Sequence, residues 1–136
     1  HSFPTRRSSD LEIKNVKENE RFVFGSNKSG HHSKGAAKTA MGMGAVYKQG
    51  HGPMGRTYGI PTKSYSVYQT LTIAEIKPFV DDFITYAKEH PELIFLVTEI
   101  GCGLAGYKPK DIAPLFKDAV PLQNVHLPLK FWNKLT

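Results

Sequence analysis

The stretch of residues 93–107 constrains the fold of this chain more than any other part of its sequence. Residues 93–97 form an uninterrupted apolar run of strand length, which is typical of a central parallel strand covered on both faces. Three glycines, Gly101, Gly103 and Gly106, follow within six residues, and a helix start is predicted after them. Glycine lets backbone amides converge on an anion, and a helix start leaves further amides unpaired. The pattern predicts a phosphate-binding loop, with a ligand-free tight turn as the alternative.

A second unit of the same kind lies earlier in the chain. Residues 22–24 predict a short strand, residues 25–35 a polar loop punctuated by glycines, and residues 36–41 a helix. Two such units place both loops at the carboxyl ends of neighbouring parallel strands, which is where open α/β sheets bind ligands. We therefore expect an α/β domain with a ligand cleft between the two loops.

The remaining segments are predicted from shorter patterns. The Thr72 hydroxyl and the Glu75 carboxylate have the spacing of a capping box, and apolar residues recur at helical spacing after them. The other predictions are an edge strand or lead-in over residues 12–17, a helix of about three turns within residues 33–47, a loop over residues 48–56, a strand over residues 57–63, a loop or minor hairpin over residues 64–69, a short helix over residues 111–117 and a last strand over residues 124–127.

Length and composition limit the class of protein. A chain of 136 residues is long enough for one domain, and no apolar run approaches a membrane span, so no membrane partner is expected. The formal net charge of +6 favours anionic partners. Because there is no Lys/Arg block and no aromatic-flanked repeat, a small phosphorylated ligand is preferred over a nucleic acid, which stays as a third hypothesis. The single cysteine indicates a reducing cytoplasm.

Residues 1–11 are interpreted separately from the rest. They match the conceptual translation of a common sequencing adapter, so we interpret them as an assembly artefact of metagenomic DNA. The expectation is that they are disordered or lie on the surface, and that residues 12–136 form a single domain.

Candidate catalytic side chains are few. Cys102 is either a nucleophile activated by a helix N-terminus or a small residue packed into a tight loop, and the second interpretation is preferred. Asn27, His31, His32 and Glu99 are the weak candidates for orienting a water or moving a proton. The histidines and the cysteine lack the spacing of metal ligands, so neither a metal nor a cofactor is expected. Whether the protein is an enzyme stays open at this point.

Both loops resemble those of macro domains, the α/β fold that binds ADP-ribose and related nucleotides. The run Ile-Gly-Cys-Gly-Leu-Ala-Gly-Tyr-Lys-Pro at residues 100–109 resembles the second ligand loop of that family, and Gly-Ser-Asn at residues 25–27 with Gly-Ala-Ala at residues 35–37 resembles the first. The resemblance implies a three-layer α/β/α domain with a mixed, mostly parallel sheet. It places a pyrophosphate on the backbone of the second loop and a ribose beside Asn27. With the basic residues of the glycine-rich loops added, the expected ligand-binding residues are Gly25, Ser26, Asn27, Lys34, Gly35, Arg56, Gly101, Cys102, Gly103, Leu104, Ala105, Gly106 and Tyr107.

The sequence also departs from the macro domain pattern. His31-His32-Ser33-Lys34 replaces a glycine tract, Ala105 stands where the family often has an aromatic residue, and the acidic residue that contacts adenine has no match. The ligand expected is therefore an ADP-ribose derivative or a cyclic nucleotide signal. A second subunit is expected if the cleft of one chain is shallow.

Residues 20–132 are similar to a group of small phage-encoded non-structural proteins that share the runs Val-Phe-Gly-Ser-Asn and Ile-Gly-Cys-Gly-Leu-Ala-Gly-Tyr. This similarity implies an anti-defence protein that sequesters a host immune signal in the cytoplasm of an infected bacterium. The alternative is a hydrolase of ADP-ribosyl or nucleotide phosphodiester bonds.

Overall fold

The computed structural model describes residues 13–66 and 68–136. The interpretation of residues 1–11 as an artefact therefore lies outside the described residues, as does the start of the domain at Glu12. No described helix has both the length and the apolar character that a membrane span needs. The described elements, in chain order, are β1 (Glu20–Asn27), α1 (Gly35–Met41), β2 (Gly52–Met54), β3 (Thr57–Lys63), α2 (Ile73–Glu89), β4 (Ile94–Val97), α3 (Pro109–Ile112), a 3₁₀ helix (Ala113–Ala119), β5 (Val125–His126) and α4 (Leu129–Leu135).

The strands form one mixed sheet with the order β2-β3-β1-β4-β5. Strand β1 pairs in parallel with both β3 and β4, and β4 pairs in parallel with β5. Among the strands of the described residues, β2 alone is antiparallel to its neighbour. The prediction of a mixed, mostly parallel sheet in an α/β protein is confirmed.

The order of the strands creates a crevice between β1 and β4. After β1 the chain passes through α1 and β2 to β3 on one side of β1, whereas after β4 it passes through α3 to β5 on the other side. Connections that leave neighbouring parallel strands in opposite directions open a gap at the carboxyl ends of those strands. The loops after β1 and β4 border this gap.

Strand β1 packs against a hydrophobic cluster on each of its faces. Its Val23 belongs to a cluster with Val80 and Phe83 of α2, whereas Phe22 and Phe24 belong to a second cluster with residues of α1. Alternate side chains of a strand point to opposite faces, which is why one short strand serves both clusters. Val23 and Phe24 have no exposed surface, and complete burial of each contributes roughly 1.5–3 kcal/mol.

Helix α2 begins at a capping box and has one apolar face, as its sequence predicts. The Thr72 hydroxyl accepts a hydrogen bond from the Glu75 amide at 3.1 Å, and the Thr72 amide donates to the Glu75 carboxylate at 2.9 Å, so the predicted capping box is confirmed. The residues at helical spacing form its buried face: Ile76, Val80, Phe83, Ile84 and Ala87. Pro78 lies inside this helix.

The prediction of a central strand at residues 93–97 is partly wrong. This segment forms β4, but β1 is the middle strand of the sheet and β4 lies next to the edge strand β5. Ile94 and Leu96 are only half-buried, so one face of β4 is incompletely covered. An apolar run indicates a strand inside a sheet, but it does not specify which strands lie beside it or how completely each face is covered.

Other segments differ from the sequence-based expectation in length or type. Residues 13–19 form no strand, α1 has seven residues and therefore about two turns instead of three, and the loop over residues 48–56 contains β2. Residues 63–66 and 68–70 form the minor hairpin, closed by a bridge between Lys63 and Thr70. The short helix begins earlier than predicted, at Pro109, and continues as the 3₁₀ helix.

Candidate functional site

A cleft with a volume of about 720 Å³ opens at the carboxyl ends of β1, β3 and β4. This volume lies in the ~300–1,000 Å³ range that is typical of small-molecule sites. The cleft is lined by Gly25, Ser26, Asn27, His31, Ser33, Lys34, Gly35, Ala36, Ala37, Thr62, Lys63, Tyr68, Thr98, Glu99, Ile100, Gly101, Cys102, Gly103, Leu104 and Ala105. The structure thus brings all of the predicted ligand-binding residues together except Arg56, Gly106 and Tyr107.

Residues 101–106, here called the glycine loop, form one wall of the cleft. The Tyr107 amide donates to the Gly101 carbonyl at 2.9 Å and the Gly106 amide to the Gly103 carbonyl at 3.0 Å, which closes the loop on itself. The amides of Gly103, Leu104 and Ala105 donate to no other described residue. The loop therefore combines a fixed backbone with N–H groups that water or a ligand must satisfy.

Asn27 shapes the opposite wall through its side chain. The side-chain Oδ1 of Asn27 accepts hydrogen bonds from the His31 amide at 2.9 Å and from the Ser29 hydroxyl at 2.7 Å, and the side-chain Nδ2 donates to the His31 carbonyl at 2.9 Å. Both acceptor positions of the amide oxygen are thus in use. Asn27 acts mainly as the residue that orders the loop after β1, and one N–H remains for a ligand.

The start of α1 contributes the third side of the cleft. Lys34 precedes the helix, its side chain makes no capping hydrogen bond, and the first turn contains no acidic residue. Lys34, Gly35 and Ala36 all line the cleft. A cationic side chain and the first amides of a helix therefore face the same space as the glycine loop, and both favour an anion.

Glu99 supplies the carboxylate among the lining residues. Its Oε1 lies 3.9 Å from the Lys130 Nζ of α4, and both side chains are largely exposed. Such a surface ion pair contributes little to stability, since solvent screens it. Glu99 is therefore held loosely and remains available to the contents of the cleft.

Cys102 lies in the glycine loop, but its environment disfavours the thiolate. Partial burial raises the pKa of the Cys102 thiol to about 11, and the negative charges of Glu99 and Asp111 add to this effect, while Lys130 opposes it. The thiol is therefore protonated at neutral pH. The idea of a nucleophile activated by a helix N-terminus fails because α3 has only four residues and Asp111 lies in its first turn.

The two adjacent histidines have different surroundings. His31 lines the cleft and its ring lies 5.2 Å from the ring of Tyr47. His32 is buried, packs against Phe24, and places Nε2 within 3.0 Å of the Val46 carbonyl and 2.8 Å of the Gln49 carbonyl. Of this pair of candidates, His31 lines the cleft, whereas His32 lies outside the lining and supports the neighbouring loop.

Three predicted ligand-binding residues lie outside the cleft lining. Arg56 precedes β3 at the opposite end of the sheet, ~16 Å along β1 from the cleft, and its Nη1 donates to the Val16 carbonyl at 3.1 Å. The Tyr107 hydroxyl donates to the Leu71 carbonyl at 2.6 Å, so this side chain braces the chain behind the loop. Gly106 closes the glycine loop, as described above. A glycine-rich composition predicted a ligand contact for Arg56, but it did not specify which end of the sheet the Arg56 loop occupies.

Other lining residues were missed by the sequence reasoning. Thr62 and Lys63 reach the cleft because the end of β3 pairs with the end of β1, where Asn27 is opposite Lys63. Thr98 lies at the end of β4, where its hydroxyl donates to the Val23 carbonyl at 2.8 Å. Tyr68 lies on the minor hairpin and lines the cleft from there. The strand that contains Thr62 and Lys63 was predicted from the sequence, but the pairing of this strand with β1 was not. The remaining missed residues are Ser33, Ala36, Ala37 and Ile100.

Neither a known protein nor a cluster of metal ligands in the described residues indicates what the cleft binds. No protein-family model matches the sequence, and no curated protein and no solved structure matches it at a significant level. Within residues 13–66 and 68–136, no three His, Cys, Asp or Glu side chains are grouped to hold a metal ion. The interpretation of the cleft therefore rests on its own geometry.

Proposed function

We propose that this chain is a binding module that captures a small nucleotide in the cleft, and that it has the three-layer architecture of a macro domain. The ligand classes are ADP-ribose derivatives and cyclic nucleotide signals. The observation that carries the proposal is the convergence of two loops, from the ends of β1 and β4, on one cleft of about 720 Å³. The hydrophobic clusters on both faces of β1 support the three-layer arrangement.

A phosphate group is the part of the ligand that the glycine loop suits best. The amides of Gly103, Leu104 and Ala105 have no described acceptor, and each hydrogen bond to a charged oxygen contributes about 1.5–3 kcal/mol. Lys34 adds a positive charge across the cleft. Because the loop is already closed by its own hydrogen bonds, little conformational entropy is lost when the anion binds.

Sequestration of the nucleotide is preferred over its hydrolysis. The Asn27 side chain already makes three hydrogen bonds, and the raised pKa of Cys102 keeps its thiol protonated. These groups order the walls of the cleft and have little capacity for chemistry. In the biological role that we propose, a phage protein of this kind removes a nucleotide alarm signal from the infected bacterium.

Hydrolysis of an ADP-ribosyl or phosphodiester bond is the second candidate. It is favoured by one observation, which is that the Glu99 carboxylate and the His31 imidazole both line the cleft. A carboxylate beside a bound phosphodiester or glycosidic bond can orient a water and accept its proton. The two candidates differ only in the fate of the bound ligand.

Gly103→Val is the variant that tests the binding proposal most directly. Gly103 does not have a positive φ, and a Cβ placed there meets no atom within 4 Å, so a side chain fits the fold and projects into open space. Gly106 is unsuitable because its φ of +85° would strain any other residue. Gly42→Ala is the matched control, because Gly42 also lacks a positive φ, has room for a Cβ and lies outside the cleft.

The experiment combines calorimetric titration with recovery of the ligand. Wild type, Gly103→Val and Gly42→Ala are titrated with ADP-ribose derivatives and cyclic nucleotides, then filtered and denatured, and the released ligand is chromatographed. We expect Gly103→Val to lose binding while its Tm stays within about 2 °C of wild type. Unchanged binding in that variant would remove the glycine loop from the site. Intact ligand indicates a binder, whereas a converted species indicates a hydrolase and directs mutation to Glu99 and His31.

A further inference from the structure

Tyr68 lines the cleft and is nevertheless 94% exposed. Its ring makes no aromatic or cation–π contact with another described residue. Leu104, which also lines the cleft, is 66% exposed. Two large, exposed side chains with mostly apolar surface therefore line the same cleft as the amides of Gly103, Leu104 and Ala105, which have no described acceptor.

The backbone that carries Tyr68 is fixed relative to the glycine loop. The minor hairpin is closed by the bridge between Lys63 and Thr70 and by a hydrogen bond from the Ser64 amide to the Gln69 carbonyl at 2.8 Å. The Thr70 hydroxyl donates to the Ala105 carbonyl at 3.1 Å, which ties the hairpin to the glycine loop. The backbone of Tyr68 is thus held beside the glycine loop by the fold.

We propose that Tyr68, with Leu104, forms a subsite for the planar heteroaromatic base of the nucleotide. This inference rests on the proposed function, because it assumes that the glycine loop holds the phosphate of the same ligand. A ring with both faces exposed offers a full stacking surface, and stacking between a base and an aromatic side chain requires no specific hydrogen bond. The subsite selects nucleotides over sugar phosphates and tolerates different bases.

Tyr65 provides a matched control on the same hairpin. It is also a tyrosine and is 73% exposed, but it does not line the cleft. The ammonium of Lys28 lies 5.9 Å from the centre of its ring, so Tyr65 already has a partner. Replacement of Tyr65 changes the exposed aromatic surface of the hairpin without removing the proposed subsite.

The test measures the affinity of two probes that share a phosphorylated ribose, of which only ADP-ribose also carries an adenine base, on an additional adenosine phosphate unit. ADP-ribose and ribose 5-phosphate are titrated into wild type, Tyr68→Ala, Tyr68→Trp and Tyr65→Ala, with Tm measured for each. We expect Tyr68→Ala to bind ADP-ribose about 5- to 150-fold more weakly and to bind ribose 5-phosphate as wild type does. Tyr68→Trp keeps the affinity, and its added fluorescence is quenched by ADP-ribose. Tyr65→Ala behaves as wild type.

Three outcomes separate this inference from the proposed function. If wild type binds ADP-ribose and Tyr68→Ala binds it equally well, the base subsite is rejected while the nucleotide cleft stands. An equal loss in Tyr65→Ala and Tyr68→Ala also rejects the subsite, because a general change in the hairpin would then explain both. If wild type binds neither probe and none of the cyclic nucleotides, the proposed function and the subsite are rejected together.

Discussion

Replacement of Gly50 by alanine is expected to destabilise the fold strongly, although the change adds a single methyl group. A Cβ at Gly50 would lie 1.9 Å from the Asn27 carbonyl oxygen, where ordinary contacts begin at 3.4 Å. The Gly50 backbone lacks a positive φ, so the requirement for glycine comes from close approach to β1 and not from torsion. The Gly50 carbonyl also accepts a hydrogen bond from the Ser26 hydroxyl at the end of β1.

The size of the effect follows from these contacts. Relief of the clash requires the two backbones to separate by about 1.5 Å, and overpacking of this kind costs about 1–3 kcal/mol. The same movement breaks the hydrogen bond between Ser26 and Gly50, which adds about 1 kcal/mol. A total near 3 kcal/mol lowers the Tm of a domain of this size by about 10 °C. Because Asn27 borders the cleft, the nucleotide binding that we propose should weaken as well.

This prediction is tested by measuring the Tm of each variant in thermal unfolding, monitored by circular dichroism. Gly42→Ala serves as the control, since a Cβ there meets only the Thr39 carbonyl at an ordinary 3.5 Å. Ser26→Ala isolates the contribution of the hydrogen bond. A Tm for Gly50→Ala within about 2 °C of wild type, or an equal decrease in Gly42→Ala, would show that the close approach of residue 50 to β1 is not as described.

Three further predictions concern Cys102 and the capping box of α2. Burial and the charges of Glu99 and Asp111 raise the pKa of Cys102 from 9.0 to about 11, so its alkylation by iodoacetamide at pH 8 should be about 100-fold slower than that of an unperturbed cysteine. The alkylation should be faster in Glu99→Gln than in wild type, because one of these negative charges is removed. Alkylation of the wild-type thiol at the rate of a cysteine in a free peptide would contradict this prediction. Thr72→Ala should cost about 1 kcal/mol and lower the Tm by a few degrees. Ser33→Ala is the neutral comparison, because the Ser33 hydroxyl is exposed and makes no hydrogen bond to a described residue. The hydrogen bonds from Thr72 lower the pKa of Glu75 below its usual 4.5, so the stability that Glu75 adds is complete above pH 4.5 and is lost as the pH falls through the lowered pKa. The Tm difference between wild type and Glu75→Ala should therefore narrow in acid, and a difference that grows in acid would contradict the capping geometry.

Several parts of the fold could be predicted because they depend on neighbours in the sequence. The capping box at Thr72 joins residues three positions apart, and the buried face of α2 repeats every three to four residues. The strands at residues 22–24 and 57–63 were visible as short runs with strand composition. The glycine loop was predicted from three glycines, two of which, Gly101 and Gly106, have a positive φ.

Parts of the candidate site could not be predicted because they depend on which strands are neighbours. Thr62 and Lys63 enter the cleft only because β3 pairs with β1, and Arg56 is excluded because it lies at the other end of the same pairing. His32 was indistinguishable from His31 in the sequence, yet it is buried against Phe24 while His31 faces the cleft. The pKa of Cys102 likewise depends on Glu99 and Asp111, whose distances only the fold fixes.

The sequence by itself determined the elements and the two loops, because backbone torsion, capping and amphipathic spacing act over a few residues. The tertiary structure decided that β1 rather than β4 is the middle strand, that the loops after β1 and β4 share one cleft, and that Tyr68 lines it. Those outcomes depend on pairing and packing between segments far apart in the chain, whose free energies depend on the whole arrangement of the sheet and not on any local pattern.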